Sequence, residues 1–427
     1  EPINYGVRPS DAAFGIYLID TLGGRELIYR DPKVSCFTPI PLRPQPAPPT
    51  IPSVLPAPGE APPTGTCTVQ DIYQSTQPIP KGSISYLRIN KIHDQPTAKF
   101  TLRSRARQEV VKSVIGVVPV NKDGSVAFTV PSDTGFQLQA LDKNGMAVMT
   151  MRSLMYVRPG ETASCVGCHE QRTSTPPHAP KLPKNQTVHT PKLPAGPRYE
   201  GGFSFMRTVQ PVLDRHCIKC HGLSDKPPKG LNYLSGESYA SLTRAKGMVA
   251  IAQTNKETFY SKPKDYFAHA GKLAPMLIKG HSKLKLPKES LERIITWLDL
   301  NAQQYGDYSF NRLENRTPDG KGEKALRIYV AQLFGKKLSE QPFSALVNIG
   351  QPDESRILMA PLSVKAGGWG QIEEGGWATR QDPAYRKMAA LIDASITPLK
   401  YHDIAGTCGR DKCVCGSCWV RKLRAGK

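Results

Sequence analysis

Cys165-Val166-Gly167-Cys168-His169 and Cys217-Ile218-Lys219-Cys220-His221 decide how the rest of this chain reads. Both have the C-x-x-C-H spacing by which a c-type haem is fastened: two thiols add to the vinyl groups, and the adjoining imidazole is delivered to the iron. With ten Cys and nine His scattered over 427 positions, such a run is expected on the order of 0.005 times by chance. Two of them are signal. The competing reading of one C-x-x-C is a zinc knuckle or a redox disulfide, and it gives no reason for the histidine that follows each pair.

Outward from the second run, Phe203 to His216 carries Phe205, Val209, Val212 and Leu213 at helical spacing and leads directly into Cys217. A helix followed by an attachment loop resembles the entry of a small cytochrome c domain. The matching exit starts at Leu286-Pro287-Lys288-Glu289, where Leu291, Ile294, Ile295 and Leu298 share one face with Trp297 beside them. In domains of that kind the second axial ligand sits in the loop just before the exit helix and is usually Met. Here the loop reads Lys279-Gly280-His281-Ser282-Lys283, so His221 and His281 are the expected axial pair, with His269 in reserve and Met276 behind it. A second imidazole in place of a thioether lowers the reduction potential.

Outward from the first run, residues 68–157 show short strands with turn signals. Ser83 to Asn90 and Ser113 to Val118 are apolar-rich, and Ser125 to Val130 and Phe136 to Leu141 alternate. Asp123-Gly124 and Asn144-Gly145 mark tight turns, which together predict an antiparallel sandwich. Its last strand, Met151 to Val157, runs toward Cys165, so the first haem is expected at the sandwich edge, held by Cys165, Cys168 and His169. For its other axial position His178, His189, Tyr156 and Cys36 are candidates, as is an open, five-coordinate iron.

Proline divides the chain. Eleven prolines fall between Pro39 and Pro63, too many for helix or a central strand, so the segment reads as an extended strap. Before it, Phe14 to Asp20 and Leu27 to Tyr29 read as two strands and a turn, too little to stand alone. A bond between Cys36 and Cys67 would staple the strap. A second proline-rich stretch, Pro176 to Pro197, separates the two Cys-x-x-Cys runs. After Asn301 the helical patterns at Glu323 to Gly335 and Asp382 to Ala394 lack an attachment run, so no third haem is expected there. In the tail, Cys408, Cys413, Cys415 and Cys418 fit either two disulfides or a tetrahedral zinc or iron site.

Fifty-seven Lys and Arg against 36 Asp and Glu give a net charge of +21. The bases are spread along the chain and no nucleic-acid motif occurs, so nucleic acid is excluded as a partner in favour of an acidic redox protein. No run of about 18 apolar residues is present to span a bilayer. The chain begins at Glu1 without an initiator Met or an apolar leader, which fits a removed signal peptide. Haem is attached to C-x-x-C-H outside the cytoplasm, so a periplasmic, extracytoplasmic or secreted protein is expected.

Ile16 to Asp20, the strap Pro39-Ile40-Pro41-Leu42-Arg43-Pro44, Asp123-Gly124-Ser125, Leu138 to Asp142 and Ser164 to Glu170 resemble the middle domain of the hydrazine synthase alpha subunit family. Pro211 to Cys217 and Ile295 to Ala302 resemble that family's C-terminal haem domain. The resemblance covers roughly residues 10 to 395. It implies a catalytic haem at Cys165 and Cys168 and a bis-His electron-transfer haem at Cys217 and Cys220. In the family the attachment histidine, here His169, turns from the iron to bind zinc, and a tyrosine at the position of Thr173 ligates the iron. A threonine hydroxyl is a poor iron ligand, so His169 takes the usual role or another residue supplies the bond. The family's amino-terminal propeller is absent apart from what would be its last strands at residues 14–29. Either this chain is a processed fragment or the propeller resides in a separate chain.

The expected fold class is α+β multidomain, an antiparallel β-sandwich scaffold followed by mainly α-helical cytochrome c-like domains. The boundaries are a hairpin at 1–35, the strap at 36–66, the sandwich with the first haem at 67–198, a cytochrome c-like domain at 199–312, a haem-less helical extension at 313–395 and a Cys-rich basic tail at 396–427. The expected function is that of a dihaem oxidoreductase subunit with two covalently attached haems c and a zinc option. The alternative is a non-catalytic electron conduit or a structural element of an oligomer or larger cytochrome assembly.

Overall fold

In the computed structural model, residues 14–31, 36–40, 42–44, 63–93, 111–151, 153–168, 187–194, 196, 201–252, 262–304, 306, 317–372 and 375–397 are described. The chain divides into two compact units, Glu1–Gly59 and Glu60–Lys427. In the first, β1 (Ile16–Ile19) and β2 (Arg25–Tyr29) form an antiparallel hairpin. The Asp20 carboxylate closes its turn by accepting from the amides of Leu22 and Gly24, each at 2.8 Å.

The second unit opens with a sandwich of two four-stranded sheets. Its strands are β3 (Thr64–Val69), β4 (Tyr86–Ile92), β5 (Lys112–Pro119), β6 (Val126–Pro131), β7 (Phe136–Leu141), β8 (Ala147–Thr150), β9 (Thr162–Cys165) and β10 (Val188–His189). One sheet, in the order β5-β4-β7-β8, is antiparallel throughout. The other runs β10-β6-β3-β9 and is mixed: β3 and β6 are antiparallel, whereas the edge strands β9 and β10 join in parallel. The all-antiparallel expectation therefore holds for one sheet only. Strand β9 reaches β3 from the same end after residues 151–161, where Met155 bridges back to Phe136 and the Val157 carbonyl accepts from Asp133, instead of by a hairpin. It is β9, not Met151 to Val157, that delivers Cys165.

Period-two alternation places Val69, Phe128, Leu87, Ile89, Phe136 and Val148 between the sheets. The opposite face of β4 and β7 carries Arg88, Asn90, Gln137 and Gln139. By sequence these are solvent positions, yet each is at most 3% exposed, because the helical region covers them.

That region contains α1 (Phe205–Thr208), α2 (Gln210–His216), α3 (Ile218–His221), α4 (Ser238–Arg244), α5 (Phe267–Ala270), α6 (Leu273–Lys279) and α7 (Lys288–Asp299). The expected entry helix is interrupted at Val209, and a new helix starts at Gln210 with Pro211 in its first turn. Pro287 precedes α7, with Glu289 in its first turn as the macrodipole favours. Phe205, Val212, Ile294, Ile295, Trp297 and Leu298 form its core, and Met146 from the β7–β8 turn inserts into it. Asp299, at the end of α7, locks this region to the sandwich. Its carboxylate accepts from Arg88 Nη1 at 3.0 Å and from the Ala147 amide at 2.9 Å, with side-chain exposures of 3% and 0% for the ion pair.

A third core lies under α8 (Gly320–Phe334), α9 (Lys336–Ser339), α10 (Phe343–Leu346), α11 (Arg356–Met359) and α12 (Pro383–Ala394), with Leu326, Val330, Trp377, Met388 and Ile392 at its centre. Asp319 caps α8 and Asp382 caps α12. Asn348 Nδ2 donates to the Met206 carbonyl at 2.9 Å, tying this layer to α1. Among the described residues no helix is long and apolar enough to cross a membrane.

Candidate functional site

The second Cys-x-x-Cys run sits where α2 hands over to α3. Cys217 caps the end of α2, and its carbonyl accepts from the amides of Cys220 at 3.2 Å and His221 at 3.0 Å. One helical turn thus gathers both thiols and the imidazole. Burial, then the neighbouring Asp214 and Cys220 charges, push the Cys217 thiol up to about 12. His221 Nδ1 lies 3.3 Å from the Leu231 carbonyl. Only an N–H satisfies that oxygen, so Nδ1 is the donor and the Nε2 lone pair is left for an electrophile. Tyr233 stacks on the ring at 4.5 Å. Burial, helped by the nearby His281 and opposed by the Leu231 bond, keeps His221 below the usual histidine range.

His281 approaches from the loop between α6 and α7. Its carbonyl and amide bond reciprocally with those of Leu284, at 2.8 and 3.0 Å, and the intervening Ser282 and Lys283 have φ of 49° and 68°. Positive φ at both central positions marks a type I′ turn, made without the glycine or asparagine that usually forms it. The His221 and His281 ring centres are 6.2 Å apart, with planes inclined by 29°. Two thiols and an imidazole on one helical turn, with a second imidazole close beside the first, are the donor set a bis-histidine haem c takes. The residues present fit a haem at this run. His269 does not face His221: its Nε2 contacts the Asp142 carboxylate at 3.4 Å without hydrogen-bond alignment. Burial pushes Asp142 up, but the His269 contact and the Met146 and Asn144 amides outweigh it and hold the carboxyl below its ordinary range.

The first run starts on β9. The Cys165 and Val166 carbonyls accept from the amides of Gln70 and Asp71 at 3.0 and 3.1 Å, and the Cys168 amide donates to Gln74 at 2.9 Å. A Cβ on Gly167 would collide with the Gln74 carbonyl, so glycine is what lets the loop lie against this turn. Cys165 and Cys168 pack on the sandwich core. Cys67, fully buried on β3, has its side chain against Cys165, while Cys36 belongs to the other compact unit. That contact and burial drive the Cys67 thiol upward. His189 stands on β10, at the edge of the sheet opposite β9. Three strand spacings, about 14 Å, separate those edges. Tyr156 is 57% exposed. His169, Thr173, His178 and the tail cysteines Cys408, Cys413, Cys415 and Cys418 lie outside the described residues, among which no group of three or more His, Cys, Asp or Glu is arranged to hold a metal ion. Cys67, Gln74, Leu231 and Tyr233 have no signature in residue spacing; only the tertiary fold brings them to these runs.

A sandwich and a helical region, each presenting one Cys-x-x-Cys run on a braced loop and locked by a buried ion pair, define an α+β class of two-site protein. Residues 82–170 match the family described as "Hydrazine synthase alpha subunit middle domain". The chain is similar to hydrazine synthase subunit alpha of Kuenenia stuttgartiensis, with 25% identity over an alignment of 266 residues covering 45% of this chain and 33% of the relative. The chain thus spans about a third of the length of the curated relative it matches. Among solved structures it is similar to Kuenenia stuttgartiensis hydrazine synthase, at 20% identity and a TM-score of 0.40, over 58% of this chain and 44% of that one.

Proposed function

We propose that this chain is an exported dihaem c-type redox protein, related in role to the hydrazine synthase alpha subunit. The observation that carries the reading is the 6.2 Å spacing of two nearly parallel imidazoles beside Cys217 and Cys220. In this reading Cys217 and Cys220 hold one haem c by thioether bonds, with His221 and His281 on its iron. Cys165, Cys168 and His169 hold the other. When bound, each haem supplies one-electron chemistry.

The chain's own groups do the tuning. The His221 Nδ1–H bond to Leu231 fixes the ring and raises its basicity as a ligand. The tight turn at Ser282 and Lys283 holds His281, and the apolar core around Tyr233 keeps water away. Two strong axial ligands suit this site to electron relay at low potential. The first site, braced at the sandwich edge, is the candidate for substrate. Electrons pass from there through the second site to an external redox partner, and the net charge of +21 favours an acidic one. The relative is named as a subunit, which supports a place in a larger assembly.

The test is a visible spectrum with carbon monoxide titration. Wild type should contain two haems, one of which binds carbon monoxide, and His281→Ala should render the second haem high-spin as well. An unchanged His281→Ala spectrum overturns the ligand assignment. Two irons that both refuse carbon monoxide overturn the substrate role and leave an electron conduit.

A further inference from the structure

The polar face that β4 and β7 turn toward the helical region is solved differently along its length. At one end Arg88 Nη1 and Gln139 meet Asp299, as described. One step along, Asn90 and its cross-strand neighbour Gln137 are 0% and 3% exposed. Asn90 Nδ2, Asn90 Oδ1 and Gln137 Oε1 have no hydrogen-bond partner. Buried amides are satisfied in the great majority of cases, so three orphaned atoms side by side call for an explanation.

Gln137 lines an open cleft between β5, β7 and β8 and residues 262–267 of the helical region. Among its described lining residues, Lys262 and Lys264 stand against one carboxylate, Asp265. The segment that closes the cleft is strained: Lys264 and Phe267 have φ of 67° and 63° while the Lys264 amide is fastened to the Val148 carbonyl at 2.9 Å. Bulky residues adopt that backbone region only when the surroundings impose it, and such residues gather at ligand clamps.

Two exposed ammonium groups and one carboxylate among the described lining residues favour an anion. The orphaned Gln137 oxygen on the cleft wall accepts only, and so requires an O–H or N–H from whatever enters. We propose that this cleft binds a small oxyanion that itself carries an O–H, of the hydrogen phosphate class. The proposal does not depend on haem at either Cys-x-x-Cys run.

Phosphate and sulfate separate the idea from simple charge attraction, because hydrogen phosphate keeps a proton to donate at neutral pH and sulfate has none. Calorimetric titration of the full chain at matched ionic strength should give phosphate at least about tenfold tighter binding than sulfate, since a site left with an unpaired buried acceptor rejects the analogue. Gln137→Leu should abolish that preference. Lys264→Gln, at an exposed position, should weaken both anions about threefold to tenfold and leave the preference intact. Equal affinities in wild type, no binding of phosphate, or an unaffected Lys264→Gln would overturn the proposal and assign the amides to ordered water.

Discussion

Replacing Asp299 by Ala probes the joint between sandwich and helices. The substitution leaves the Arg88 guanidinium, 3% exposed, without its counter-charge. It also removes the acceptor of the Ala147 amide at 2.9 Å and the Ala268 amide at 3.3 Å. Breaking a buried pair from one side destabilises by about 3–5 kcal/mol, and each deserted buried N–H adds about 1–3 kcal/mol where water cannot reach it. A loss of at least about 5 kcal/mol is expected, a large share of the 5–15 kcal/mol typical of a folded domain. Urea denaturation followed by far-ultraviolet circular dichroism measures it, and the sandwich and helical transitions should separate. Removing both charges, with Arg88→Met and Asp299→Leu, should be milder than Asp299→Ala by about 2 kcal/mol or more, since no stranded ion remains. A single-variant loss under about 1 kcal/mol, or a double variant as unstable as the single, would refute the view that a desolvated ion pair joins these regions.

Burial raises Asp214 from its ordinary 3.8 to about 7, against the pull of the Gln210 hydrogen bond and the Arg356 charge. The folded chain then keeps a proton that the unfolded chain has shed, so this group's contribution to stability is full below the unfolded value and declines as pH rises toward 7. At about 1.4 kcal/mol per unit the decline is at most about 4 kcal/mol, and urea midpoints for Asp214→Asn, compared with wild type from pH 4 to 8, should lack it. Gly167→Ala forces the attachment loop off Gln74, so the haem content by pyridine haemochrome should fall from two per chain toward one; retention of both would show that the loop does not need that close approach. Asp382→Ala removes the acceptor of the Ala384 amide at 2.8 Å and should destabilise by about 1 kcal/mol, read as a lower thermal midpoint.

Strand positions were legible because alternation is local: Phe136 to Leu141 is a strand in both readings, and Asp123-Gly124 and Asn144-Gly145 are turns in both. What covers a strand's polar face is not local. Arg88, Asn90, Gln137 and Gln139 alternate as solvent-facing residues do, and nothing in β4 or β7 announces that α7 will arrive to bury them. The same limit explains the parallel edges of the mixed sheet, which depend on the path between β8 and β9, and the break at Val209, where apolar periodicity outvoted Pro211.

The candidate sites divide along the same line. Cys217, Cys220 and His221 are one helical turn, so spacing alone assembles them. The partner imidazole is a tertiary question: His269 and His281 both lie within reach of a loop before α7, and helix α6 between them decides which one can face His221. Starting α6 at Leu273 leaves His269 on the Asp142 side, while ending it at Gly280, whose φ of 99° suits glycine, returns the chain toward α3 and presents His281. The turn that fixes His281 gave no warning because Ser282 and Lys283 are not residues that favour left-handed backbone. Its strain, about 1–3 kcal/mol for each such residue, persists only if the surrounding structure holds it. A chain that maintains such a turn opposite an imidazole has committed packing energy to the placement of one side chain, which is the mark of a functional loop rather than a connecting one.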